Sequence, residues 1–80
     1  MIDFNEAFEK FVKGQTVVGL TELYPNQVVD EPCAYGYGVV LENGYKIIGY
    51  GAGGGGYDYN DQYIINDKNE LVSKIEAMSV

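Results

Sequence analysis

The Asn43-Gly44 pair constrains the fold more than any other feature of this sequence. It stands in the middle of residues 34–52, AYGYGVVLENGYKIIGYGA, with an apolar run on each side. Asn-Gly between two apolar runs is a strong short-range signal for a β-hairpin, because both residues tolerate the positive φ of tight turns. The segment therefore predicts two antiparallel strands joined at this pair.

The register of this hairpin is open from the sequence alone. A two-residue turn would pair Tyr37 with Tyr50. A three-residue loop over 42–44, with a bulge at its glycine, would instead pair Tyr37 with Gly49 and Tyr50 with Gly36. The second register sets aromatic residues against glycines, an arrangement that supports weak strand positions.

Both ends of the chain predict amphipathic helices. In the first, Asp3 and Glu6 have the spacing of a capping box, and Gly14 suits the residue that follows a helix C-terminus. In the second, Asp67 and Glu70 repeat the capping-box spacing. The apolar positions of both helices have the spacing of one helix face. They are Phe4, Ala7, Phe8, Phe11 and Val12 in the first helix, and Leu71, Val72, Ile75 and Met78 in the second.

The remaining apolar segments predict strands and complete the fold. Residues 16–23, TVVGLTEL, and 62–65, QYII, are rich in β-branched or aromatic residues. We predict one α+β domain over residues 1–80, in the order α-β-β-β-β-α. Its three- to four-stranded antiparallel sheet carries the N-terminal and the C-terminal helix on one face. An exposed strand edge is expected near residues 34–40.

The charge is acidic and unevenly distributed. Twelve carboxylates stand against five lysines, and the net charge is −7. Residues 14–66 hold six of the carboxylates and only Lys46. Such a surface repels the phosphate backbone, so direct binding of DNA or RNA is not expected. It attracts basic proteins and accelerates their encounter.

The sequence offers little for catalysis or for a cofactor. Cys33 is the sole cysteine and histidine is absent, so no imidazole can activate a nucleophile or bind a metal. The glycines from Gly49 to Gly56 match a dinucleotide fingerprint, but no helix follows them to receive a pyrophosphate. Asp58 and Asp61 fail the spacing of an EF-hand loop. We therefore expect a protein that is not an enzyme and that has no cofactor and no metal.

The chain gives no signal of secretion or membrane insertion. MIDFNEAF at the start is acidic, and no stretch approaches the ~20 apolar residues of a membrane span. A cytoplasmic protein is expected, in the host cytoplasm if a phage encodes it.

Tyrosine is the remaining functional signal, with eight copies and no tryptophan. Tyrosine buries a large ring while its hydroxyl stays polar, which suits surfaces that a partner covers. The glycine-rich loop 51–56 is either slack or folds against a partner and presents the residues that follow it. The predicted partner-binding residues are Tyr57, Asp58, Tyr59, Asp61, Glu42 and Tyr50.

Two functions are consistent with these features. The first is a non-enzymatic acidic module that occupies a basic, nucleic-acid-binding surface of another protein. Small phage and mobile-element proteins of anti-CRISPR or anti-restriction type inhibit by such DNA mimicry, and the analogy is one of size, charge and composition. The alternative is a small structural protein that assembles through a sheet edge, as a homodimer for example.

Overall fold

The computed structural model describes residues 1–22, 36–51 and 60–75, and gives the backbone alone at 22, 36–37, 50–51 and 60–61. These residues form one five-stranded antiparallel sheet in which every strand pairs with the next along the chain. A short helical segment precedes the sheet. The strands are β1 (Val17–Glu22), β2 (Gly36–Leu41), β3 (Lys46–Gly51), β4 (Asn60–Ile65) and β5 (Leu71–Ile75).

The N-terminal helix is confirmed, with one change of geometry. Helix α1, Phe4–Ala7, begins where the Asp3 carboxylate accepts hydrogen bonds from the two amides of Asn5 and Glu6. It continues as a π-helical segment, Phe8–Val12. This wider helix has a different period from the one assumed in the sequence pattern. Phe8, predicted on the buried stripe, is 40% exposed, whereas Phe11 and Val12 later in the segment pack on the core as predicted.

Of the two registers that the sequence leaves open, the central hairpin has the one with the three-residue loop. Tyr37 pairs with Gly49 and Tyr50 pairs with Gly36. Gly44 closes the loop at φ +88°, in the region that glycine adopts without strain. A Cβ at Gly38 would collide with the backbone carbonyl of Ile47 on the neighbouring strand. Glycine is thus required inside β2 as well as in the turn.

The predicted C-terminal helix is wrong, because residues 71–75 form strand β5. Asn69 adopts φ 62°, a left-handed conformation that a helix starting at Asp67 cannot contain. The Asn66 side-chain oxygen accepts the amides of Lys68 and Glu70, each at 2.9 Å, and turns the chain back along β4. Met78 lies outside the described residues.

Apolar side chains pack on both faces of the sheet. On one face, Leu41 and Ile64 pack with Ala7 and Val12 from the helical segment. On the other face, the fully buried side chains are those of Ile48, Tyr63 and Ile65. Successive strand residues alternate between faces, so the Ile-Ile pairs of β3 and β4 supply both cores.

The described part of the chain is therefore α+β-like, with five strands and a single short helix. The sequence predicted three to four strands and two helices. The edge predicted near residues 34–40 is also wrong. Strand β2 lies between β1 and β3, and the outermost of the described strands are β1 and β5. In β2 the backbone groups are used in pairing on both sides.

Candidate interaction surface

Strand β1 presents large apolar side chains to solvent. Val17 is 55% exposed, Val18 is 61% exposed and Leu20 is 86% exposed. Within the described residues, no strand pairs with the outer edge of β1. An outer strand with apolar side chains and open backbone groups can accept another strand, which makes β1 a candidate interaction surface.

The placement of the helical segment explains why this segment does not cover Leu20. The hydroxyl of Ser73 on β5 donates a hydrogen bond of 2.6 Å to the carbonyl of Ile2, just before the helix. The far end of the segment packs Val12 on β2. The helix thus extends from β5 to β2 and stops short of Leu20, which pairs with Val39 at the edge of the covered area.

A glutamate lies at each end of β1. The Glu42 amide donates to the Thr16 carbonyl at 2.9 Å, so the exposed Glu42 lies beside the start of the strand. Glu22 is the last residue of β1 and pairs with Tyr37. Thr16 and Glu22 are about 20 Å apart along an extended chain.

The loop that carries Glu42 is held firmly by its neighbour Asn43. The Asn43 side-chain amide donates to the Phe11 carbonyl at 2.9 Å, and its side-chain oxygen accepts the Tyr45 amide at 3.1 Å. The Asn43 backbone amide donates to the Gln15 side chain at 3.2 Å. The rings of Phe11 and Tyr45 stack with centroids 4.8 Å apart. These contacts join the hairpin turn to the helical segment and fix the position of Glu42.

The lysines of the helical segment are paired within it. Lys10 Nζ lies 3.2 Å from a Glu6 carboxylate oxygen, and Lys13 Nζ lies 3.3 Å from one of Glu9. All four side chains are more than half exposed, so each pair adds little stability. Each pair offsets the charge of its own lysine. These two lysines therefore do not reduce the acidic excess of residues 14–66.

The structure places three of the six predicted contact residues. Tyr50 and Asp61 are directly opposite each other on β3 and β4. Glu42 lies at the other end of the hairpin, in the β2–β3 turn. The strand length between these two ends is roughly 15 Å, a span that one protein interface of ordinary size can cover. Tyr57, Asp58 and Tyr59 lie outside the described residues.

The apolar edge of β1 was not among the predicted contact residues. The segment TVVGLTEL predicted a strand, but a strand pattern does not say whether its neighbours cover it. The available signal was the lack of strict alternation, since Val17, Val18 and Leu20 cannot all occupy one face of a regular strand. The structure contains an irregularity between Val17 and Gly19 at this point.

The described residues contain no group of three side chains of histidine, cysteine, aspartate or glutamate that could hold a metal ion. No helix in this part of the chain is long and apolar enough to cross a membrane. Comparison of the chain with models of known families, with curated proteins and with solved structures finds no match. The fold and the surface define an α+β-like protein, a five-stranded antiparallel sheet whose first strand has an exposed apolar edge.

Proposed function

We propose that this protein is a non-enzymatic binding module that attaches to a basic surface of another protein. The observation that carries the proposal is the distribution of charge. Lys10 and Lys13 are paired with glutamates on their own helical segment. Residues 14–66, which supply most of the sheet, have a net charge of −5. A basic partner gains from this excess, and nucleic acid is repelled by it.

The surface that such a module would bind is a basic surface that normally binds nucleic acid. Carboxylates placed on phosphate-binding lysines and arginines would compete with the nucleic acid for the same positions. The protein would then act as an inhibitor of a nuclease or a defence complex, of anti-CRISPR or anti-restriction type. Its small size, its net negative charge and the cytoplasmic location expected from its sequence support this role.

The proposal is tested by capture of partners on the tagged protein from a nuclease-treated bacterial lysate. The resin is washed at low and then at high salt, and the eluates are identified by mass spectrometry. Recovery of one basic nucleic-acid-processing protein that high salt releases is the expected result. Binding that does not depend on salt would contradict the mimicry of phosphate charge, because exposed charge pairs are screened at high ionic strength.

Charge reversal gives the matched test on the protein itself. Reversal of Glu42, Asp58 and Asp61 together is expected to weaken partner binding by far more than tenfold. The control reverses Glu6 and Glu9, which already face lysines within their own segment, together with Glu70 in the β4–β5 turn, so that both variants change the net charge by six units. Equal losses in the two variants would mean that only net charge matters and that the three predicted contacts have no special role.

A second candidate function is favoured by the exposed apolar residues of β1. A structural protein could assemble through this edge, with β1 of one copy pairing with β1 of another. Light scattering decides between the two functions. A stable dimer at low micromolar concentration would favour assembly, whereas a monomer under the same conditions favours the binding module.

A further inference from the structure

We infer that the outer edge of β1 binds an extended, cationic strand of the partner protein, which adds to the sheet as a sixth strand. The inference rests on the proposed function and names the kind of segment that it binds. In strand addition, backbone hydrogen bonds supply affinity and alternate side chains supply specificity. Both requirements can be examined on β1.

The backbone of β1 is suited to strand addition. From Gly19 to Glu22 the strand pairs with β2 without a break. Among the described residues no strand pairs with its other side, which presents a regular row of backbone groups. The sequence VVGLTE contains neither lysine nor proline, the residues that commonly block exposed edges. The irregularity between Val17 and Gly19 interrupts the ladder at its start. The regular part of the edge is thus the last four residues.

The side chain of Leu20 specifies an apolar residue on the added strand. Leu20 is 86% exposed, the largest exposed fraction among the large apolar residues of the described chain. An apolar side chain opposite Leu20 on an antiparallel neighbour would remove both from water. The centre of the added strand is therefore apolar on the face of the sheet that carries Leu20.

The charges around β1 specify the ends of the added strand and disfavour a second copy. Glu42 lies beside the start of β1, and Glu22 is its last residue. Lysine or arginine near each end of the added strand would approach these residues. A second copy of the chain would bring another net charge of −7 to the same edge, which opposes pairing by long-range repulsion. A cationic segment with an apolar centre satisfies both conditions.

The test uses the full-length protein and two synthetic peptides of alternating threonine and valine. One peptide has two lysines at each end, and the other has two glutamates at each end. Binding is followed by NMR of the isotope-labelled protein, together with hydrogen exchange of its backbone amides. The lysine peptide is expected to shift resonances of residues 17–22 and to slow amide exchange in β1. The glutamate peptide is expected to bind at least tenfold more weakly.

Two pairs of variants locate the contact. Leu20→Thr is expected to weaken binding of the lysine peptide about tenfold, by loss of an apolar contact. Ile75→Thr changes an apolar residue that is 47% exposed on the opposite edge strand, and binding should be unchanged. Glu42→Gln is expected to weaken binding about two- to fivefold, the range for an exposed charge pair. Glu70→Gln, in the other hairpin turn, should have no effect.

The outcomes separate this inference from the proposed function. Resonance shifts centred on β5, or equal losses in Leu20→Thr and Ile75→Thr, would overturn the assignment of β1. Equal binding of the two peptides would overturn the cationic character of the added strand. Self-association that Leu20→Thr abolishes would show that a second copy occupies the edge. Salt-sensitive capture of a basic protein that persists in Leu20→Thr would leave the proposed function standing while the inference on β1 fails.

Discussion

Replacement of Gly44 by alanine tests the packing of the two hairpin turns against each other. Gly44 has φ +88°, and a Cβ placed on it would lie 2.9 Å from the Cβ of Asp67 in the β4–β5 turn. Atoms so close to the backbone cannot move aside by a change of rotamer. Gly14 provides a matched control, because it has φ +83° with no heavy atom within 4 Å of the added Cβ.

The expected losses follow from these two geometries. An alanine in a left-handed conformation costs about 1–2 kcal/mol. Its smaller unfolded-state entropy returns about 0.4–1 kcal/mol. Gly14→Ala should therefore lower the free energy of unfolding by about 1 kcal/mol. Gly44→Ala adds an overpacked contact of about 1–3 kcal/mol, for a total of about 2–4 kcal/mol. The whole domain is stable by only about 4–12 kcal/mol at this length.

Urea denaturation monitored by circular dichroism measures the difference between the two variants. With an m value of about 1 kcal/mol/M, the midpoint of Gly44→Ala should fall about 1–3 M below that of Gly14→Ala. Adding Asp67→Gly to Gly44→Ala should recover most of the extra loss, and a double-mutant cycle isolates this coupling. Equal midpoints for Gly14→Ala and Gly44→Ala, with no coupling to Asp67, would refute the close packing of the turns.

Two further predictions concern the contacts that hold the helical segment on the sheet. Asn43→Ala removes the donor to the Phe11 carbonyl and the acceptor of the Tyr45 amide, and should destabilise the fold by about 1–3 kcal/mol in the same urea assay. Asn43→Asp keeps the acceptor of the Tyr45 amide and should cost less, so an equal loss in the two variants would show that this acceptor contributes nothing. Ser73→Ala leaves the Ile2 carbonyl without its 2.6 Å donor and should cost about 1–2 kcal/mol. It should also speed amide exchange at the start of α1, and unchanged exchange would show that Ser73 does not hold this segment.

The N-terminal helix and the central hairpin were predictable because their signals are local. One carboxylate oxygen of Asp3 caps the helix by accepting the amides of the residues two and three positions along the chain. The Asn43-Gly44 turn depends on the φ of one glycine. The register needed one more fact, which of two loops forms, and the sequence left both open.

The C-terminal segment shows where local signals mislead. Leu71, Val72 and Ile75 have spacings that fit a helix as well as a strand with an irregularity, and Asp67 with Glu70 has the spacing of a helix cap. The structure resolves the ambiguity through Asn66, whose side chain accepts two amides of the turn. Strand β5 then pairs with β4 over residues 62–65, with one irregularity between Ile64 and Ile65, and a helix at this position would lack this pairing.

The candidate interaction surface on β1 could not be located from the sequence. The acidic excess, the lack of histidine and the isolated cysteine are properties of composition, and they already favoured a binding role over catalysis. The position of Leu20 at an open edge depends on which strands neighbour β1 and on how far the helical segment reaches. Neither can be deduced from residues 17–22 themselves.

The sequence by itself determined the N-terminal helix, the central hairpin and the strand over residues 17–22, because a cap, a positive φ at glycine and a run of β-branched residues act over a few positions of chain. The tertiary structure decided the number of strands, their order and the exposed edge. These depend on contacts between residues far apart, such as Ser73 with Ile2 and Glu42 with Thr16. Such contacts form only when packing has brought distant segments together, and the pattern of residues along the chain does not specify which distant segments pack.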